Sequence, residues 1–435
     1  MKRTSLSTIL IFTTGLLPVL FILSFPPSSY AVQEPPPQLK NPKTNSPQVS
    51  LTSSTQYLWY QDMFSTDKER TFQDAAEYLR INVTGLDQEG KVNIFSYGRA
   101  TKDVRQPFEN DIQGRLYYFY LDYRDAFKDH LNFRAGRTYV NAAAVSGTVD
   151  GVHLDLKNLG PMGITFFGGR NVIFAEKRET GTMNDAIVGT SVYLDTIKNT
   201  HVEVSYGRQY GNDDDDRRLA RENVGLDFST TPISGIANFY GRLKYDTISE
   251  SYNEILFGTK IAPLQDFVLR AEYFQSYPTF DAFSIYSVFA VDQYKEVSVA
   301  AEYQLNSKYR VSVKYAREDF NNSENADVYG IGVLAHPVKG LTINATYENR
   351  VGYAGNLSGF RFFGEYKIAR ASILAGIDYD DFRREDSREG TAKKYWIGAN
   401  CAFSKNISAV LRIENNSNYT YDHSFQGIAA VNVQY

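Results

Sequence analysis

The chain has 435 residues, a formal net charge of −4, and 32 Tyr and 28 Phe against 4 Met and 1 Cys. A mildly acidic balance argues against a nucleic-acid partner, and the lone Cys401 excludes an internal disulfide. Such Tyr and Phe loading at moderate hydrophobicity is unusual for a soluble enzyme and suits strands with one apolar and one polar face.

The chain opens on the basic Met1-Lys2-Arg3, continues through an apolar run from Ile9 to Leu23, and reaches the small-x-small site Ser29-Tyr30-Ala31. That order marks a secretory signal, so residues 1–31 are expected to be cleaved. No cysteine lies near the site to carry a lipid. Loss of Lys2 and Arg3 takes the charge from −4 to about −6. Beyond Ala31 no apolar stretch approaches the roughly 20 residues of a spanning helix. Residues 32–47 form a Pro-rich, extended periplasmic linker, too short to fold into a plug.

From about residue 48 to Tyr435 the texture is uniform. Runs of about 10–13 residues alternate apolar with polar at period two, separated by turn residues. Tyr309, Val311, Val313 and Tyr315 alternate with Arg310, Ser312, Lys314 and Ala316. Leu341, Ile343, Ala345 and Tyr347 alternate with Thr342, Asn344, Thr346 and Glu348, and Ile407, Ala409, Leu411 and Ile413 with Ser408, Val410, Arg412 and Glu414. Successive side chains on a strand point to opposite faces. The pattern predicts an all-β fold: an antiparallel up-and-down transmembrane barrel of about 22 strands, with 20 to 24 open.

The connections are expected to alternate between short periplasmic turns and longer extracellular loops. Asn158-Leu159-Gly160, Thr231-Pro232, Asn306-Ser307, Pro337-Val338-Lys339 and Ser404-Lys405 are the short ones. Residues 171–183, 211–218, 278–292 and 382–390 are the long ones, and 278–292 is the candidate for a loop folded into the lumen. Phe267 with Tyr273, and Tyr309 with Tyr315, bracket outward faces at the spacing of two aromatic girdles.

Strand parity then assigns lumen-facing charges: Arg80, Arg115, Arg134, Glu203, Arg242, Lys244, Arg270, Glu272, Glu302, Arg310, Lys314, Glu348, Arg361, Glu365, Arg412 and Glu414. Both signs are present, which keeps water inside and leaves ion selectivity weak. The bland reading is that they solvate the lumen and pair across strands.

The last strand sets Phe425, Gly427, Ala429, Val431, Val433 and Tyr435 on one face, and the chain stops on that aromatic. With Arg134-Ala-Gly-Arg-Thr-Tyr-Val140, Asp150-Gly151-Val152 and Phe166-Phe167-Gly168-Gly169, it resembles bacterial outer-membrane β-barrels of the porin type. A terminal Tyr replaces the commoner Phe. The resemblance implies an outer-membrane address, contact with lipid and lipopolysaccharide, and insertion by the assembly machinery through the strand ending at Tyr435. It supplies no substrate.

Two functions are expected to compete: a channel for passive diffusion of small hydrophilic solutes or ions, and a sheath for a lumenal partner such as a multihaem cytochrome. Homo-oligomers remain open. An enzyme is not expected, because His130, His153, His201, His336 and His423 offer no evident nucleophile–base pair. No metal or cofactor motif is present, and the acidic run Asn212–Asp216 lacks the ligand spacing of a calcium loop.

Overall fold

The computed structural model of the chain describes residues 46–62, 70–105, 112–174, 185–213, 216–277, 293–320, 324–353, 355–383, 389–418 and 421–435. The expected signal peptide, most of the linker and the loop 278–292 lie outside them.

Alternating β-branched and aromatic positions build 22 strands. The first ten are β1 (Gln48–Asp62), β2 (Arg70–Thr84), β3 (Val92–Asp103), β4 (Gln113–Asp125), β5 (Leu131–Asn141), β6 (Ser146–Leu159), β7 (Met162–Asn171), β8 (Ala186–Leu194), β9 (Thr200–Asp213) and β10 (Asp216–Ile233). The next six are β11 (Ala237–Asp246), β12 (Ser251–Leu264), β13 (Phe267–Ser276), β14 (Tyr294–Asn306), β15 (Tyr309–Phe320) and β16 (Glu324–Ala335). The last six are β17 (Leu341–Gly352), β18 (Asn356–Ile368), β19 (Ala371–Arg383), β20 (Glu389–Ala402), β21 (Ile407–Asn418) and β22 (Tyr421–Gln434).

Each strand pairs antiparallel with its neighbours in sequence, and β1 pairs with β22, Thr52 opposite Gln434 through Tyr60 opposite Gln426. The ring therefore has no free edge, the condition for strands to survive in lipid. The terminal residue ties the seam: Tyr435 N donates to Leu51 O at 2.8 Å, and Leu51 N to Tyr435 O at 3.1 Å.

The two faces separate by parity. Val313, Ile331 and Tyr347 stand directly across from one another on one face, as do Ile397 and Ile413 further round the ring; these five, with Ile373 and Leu411 on the same face, are all exposed. Their neighbours Lys314, Gly330, Glu348, Arg412 and Glu414 point the other way. An apolar outer face around a closed ring of even strand number makes this a transmembrane β-barrel of the outer-membrane type. The outer face is not wholly apolar, since Glu77 lies on it near mid-strand and accepts the hydroxyls of Ser53 (2.5 Å) and Thr55 (2.6 Å).

The connections follow the expected alternation only in part. The short turns at 160–161, 307–308, 336–340 and 403–406 are in place. The Thr231-Pro232 turn is not: β10 runs on to Ile233 past a register shift, and the chain reverses at 234–236. Nor is the whole of the expected long loop 211–218 a loop: β9 extends to Asp213 and β10 starts at Asp216, because a hairpin can carry its ladder beyond the apolar band.

The β4–β5 turn holds four non-glycine residues with positive φ: Asp125 (56°), Phe127 (49°), Lys128 (61°) and Asp129 (68°). A side chain in that region costs roughly 1–2 kcal/mol. Lys128 is exposed, so Lys128→Gly should stabilise the barrel by about 1 kcal/mol through relief of that cost, less glycine's extra unfolded-state entropy. Equilibrium unfolding in detergent checks this; an unchanged or lower midpoint speaks against it.

Candidate functional site: the inner wall

The charges expected to face the lumen occupy the strand face opposite the exposed apolar side chains. Most are held by a polar partner, either two residues along the same strand or across the wall. Arg242 meets Asp227 at 2.6 Å, Arg361 meets Asp380 at 3.2 Å, and Arg412 meets Glu414 at 2.8 Å. Glu302 and Arg310 approach at 3.8 Å, and Glu365 takes Lys367 at 3.4 Å. Arg134 bonds Asp122 at 3.1 Å. Glu272 accepts the Tyr240 hydroxyl at 2.7 Å, and Glu203 stands across from Asp227 with His201 at 3.7 Å. Lys244 and Arg270 lie across from Glu254 and Lys260. Lys314 and Glu348 flank Gly330 on β16. Arg80 and Arg115 belong to a different environment on β2–β4.

Several inner residues escaped the sequence reading. Arg350 grips Glu318 at 2.8 Å, and Lys394 reaches Glu414 at 3.8 Å. Their parity was legible, and they are simply further members of the same rows. Less legible was a bulge in β4, where the ladder with β3 shifts between Tyr97 and Gly98. It brings both Tyr117 and Tyr118 against Tyr97, at ring-centroid distances of 5.0 and 5.7 Å. A bulge re-aims side chains without any composition signal of its own.

Among the described residues, the β5–β6 hairpin departs most from a plain wall. β4 and β5 pair only from Phe119 with Arg137 to Tyr123 with Phe133. Above that point the hairpin curls inward. Its Val140 and Val149 close over Phe167 and Ile187, giving a small apolar cluster with Ala142 and Val145. The tip, 142–145, is buried against β9 and β10, where Ala144 N donates to Ser205 Oγ at 2.9 Å. Gly207 and Gly225 leave the space it occupies: a Cβ on Gly207 would overlap Val145, and one on Gly225 would overlap the backbone of Ala143 and Ala144.

Arg137 staples the point of departure. It holds Asp150 through Nε (2.7 Å) and Nη2 (3.0 Å) and donates Nη1 to Leu116 O (2.8 Å), a carbonyl that β5 no longer pairs. Its side chain is 10% exposed. Arg137→Leu strands both Asp150 and that carbonyl, and is expected to cost about 3 kcal/mol. Unfolding midpoints measure the loss; a change below about 0.5 kcal/mol would show the staple to be idle.

Chemistry beyond solvation is thin. Among the described residues no group of three His, Cys, Asp or Glu side chains could hold a metal ion. His336 Nδ1 meets Thr342 Oγ1 at 3.2 Å in an exposed turn. Nucleophilic catalysis needs a third, orienting group behind such a pair. His153 stacks on Phe167 at 6.3 Å.

No family model matches the chain, and no curated protein does. Solved structures similar to it include Pseudomonas aeruginosa OccK3 (OpdO), 9% identical over 90% of this chain and 96% of that one, with a TM-score of 0.46. Acinetobacter baumannii OccAB4 is 11% identical over 91% and 100%, with a TM-score of 0.43. The P pilus usher (PapC) translocation pore is 8% identical over 88% and 99%, with a TM-score of 0.45. Identities and scores this low add nothing to what the strand pairing of this chain already establishes.

Proposed function

We propose that the barrel is an outer-membrane channel for passive diffusion of small hydrophilic solutes, and not an enzyme. The observation that carries this is the inner face: charged and hydrogen-bonding side chains of both signs recur on strands around a closed ring. With strands about 4.8 Å apart and tilted about 40°, 22 of them enclose a cylinder roughly 45 Å across between backbones. Wall side chains do not fill that width, so the polar face needs water. Paired charges of mixed sign give the wall little net field and hence weak ion selectivity. The Leu51–Tyr435 bonds complete a closed seam between β1 and β22, as a barrel inserted by the assembly machinery needs.

Liposomes carrying the folded protein are expected to swell in small sugars and to retain large polysaccharides. Swelling no faster than in protein-free liposomes would count against a channel. Purification from native membranes with a stoichiometric partner or haem absorbance would instead favour the sheath, which the same width admits.

A further inference from the structure

We propose that the outer face of β1–β3 is an interface with a second copy of this chain, closed by reciprocal Glu77–Lys102 pairs. Glu77 is the eighth of the fifteen residues of β2 and sits at mid-strand. It stands across from Thr55 on β1, which stands across from Val431 on β22. Val431 and the terminal Tyr435 share the outward face, four residues apart. Four residues on a tilted strand rise roughly 10 Å, which places the carboxylate inside an apolar band about 25 Å tall.

Hydrocarbon offers such a group nothing. The hydroxyls of Ser53 and Thr55 each donate to one carboxylate oxygen. They satisfy hydrogen bonds and leave the negative charge itself uncompensated. A matching cation lies on the next strand. Lys102 faces outward on β3 across from Ala75, two residues above Ala100, which is across from Glu77. Among the described residues Lys102 holds no carboxylate, so the two charges do not pair within one copy.

A two-fold axis along the membrane normal, running between β2 and β3, turns each β2 toward the partner's β3. Glu77 then faces the partner's Lys102, whose flexible stem spans the small difference in height. The same contact repeats on the other side of the axis. Two pairs thus replace four lone charges at the lipid boundary. The shape of the wall agrees. Ala75, Gly98 and Ala100 border Glu77, with Leu79 below to pack against the facing wall. Further round the ring the outward positions within the strands carry Val313, Ile331, Tyr347 and Ile397. Small residues let two membrane-embedded surfaces approach closely enough for polar contacts. An anionic lipid headgroup is no substitute, because Glu77 repels it.

The test is cross-linking of the full barrel in lipid bilayers, in a Cys401→Ser background. Ala100→Cys places a thiol inside the contact, and Ala345→Cys, outward on β17, is the control. With a short bismaleimide at low protein-to-lipid ratio, Ala100→Cys is expected to yield at least about 10-fold more dimer than Ala345→Cys. Glu77→Lys and Lys102→Glu should each cut that yield about 10-fold, because like charges then meet, and the two together should restore it. Glu77→Gln and Lys102→Gln, which insert no opposite charge, should each lower it about 3-fold. Heat-modifiable electrophoretic mobility confirms that each variant is folded. Equal yields from the two thiols, or indifference to both glutamine variants, overturns the proposal. So does a folded double reversal that fails to recover. In native membranes, an Ala100→Cys product with a different protein would assign the face to that partner and overturn the second copy. None of these readouts uses conduction, so the interface and the channel fail separately.

Discussion

Gly225→Val is expected to drive the β5–β6 tip off the lumen wall and to enlarge the current through a single barrel. The tip rests directly on this glycine, and the first atom to collide with an added side chain is backbone of Ala143 and Ala144, which cannot rotate away. Overpacking of this kind costs about 1–3 kcal/mol. The cost falls on the weakest element that can yield. The barrel strands are tied on both sides by ladders, whereas the tip is held by a small cluster and the bond from Ala144 N to Ser205 Oγ. A penalty of that size shifts the seated population by about 5- to 150-fold. In a Cys401→Ser background, an Ala143→Cys reporter should react with a maleimide at least about 5-fold faster when Gly225→Val is added. Gly330→Ala is the control, because its methyl would meet Lys314 Cβ at an ordinary 3.4 Å. Unchanged labelling and unchanged current would mean that the seat does not depend on the glycine.

The second large effect is expected on the outside. Ile331 is 51% exposed, lies between Val313 and Tyr347, and sits well inside β16. Ile331→Arg places a charge in the apolar band and should cost about 2–4 kcal/mol of folding free energy in a bilayer. Lys314→Gln, on the neighbouring strand but facing inward, should cost little. Refolding titrations into lipid vesicles compare the two. Equal losses would contradict the assignment of faces, and with it the distinction between lipid and water on which the account depends.

How much of this the sequence carried depends on the kind of signal involved. Strand number was legible because period-two alternation repeats with little interruption, and β15, β17 and β21 can be read almost residue by residue. The faces followed from the same parity, and so did the rows that contain Arg242, Arg310 and Arg412. The inward curl of β5–β6 was not legible. A hairpin alternates identically whether it stands in the wall or folds over it. Its trace lay elsewhere, in the uncharged tip Ala142-Ala143-Ala144-Val145 where a polar rim loop is the norm, and in glycines at inward positions of β9 and β10. The loop chosen instead, 278–292, was chosen for length and apolarity, and it lies outside the described residues.

Loop lengths misled for a related reason. An acidic run such as 212–216 looks like a break in a strand, but charge interrupts a strand only where lipid surrounds it. Above the bilayer the ladder continues. The arginine and tyrosine wall on β2–β4 was half seen. Arg80 and Arg115 follow from parity, but the meeting of both Tyr117 and Tyr118 with Tyr97 depends on the bulge in β4, which no local pattern announces.

The most direct measurement is single-channel conductance of the refolded protein in a planar bilayer. Large, stable openings with weak cation–anion discrimination are expected, from a water-filled lumen walled by paired charges. A barrel that is demonstrably folded yet electrically silent at all voltages would contradict an open channel.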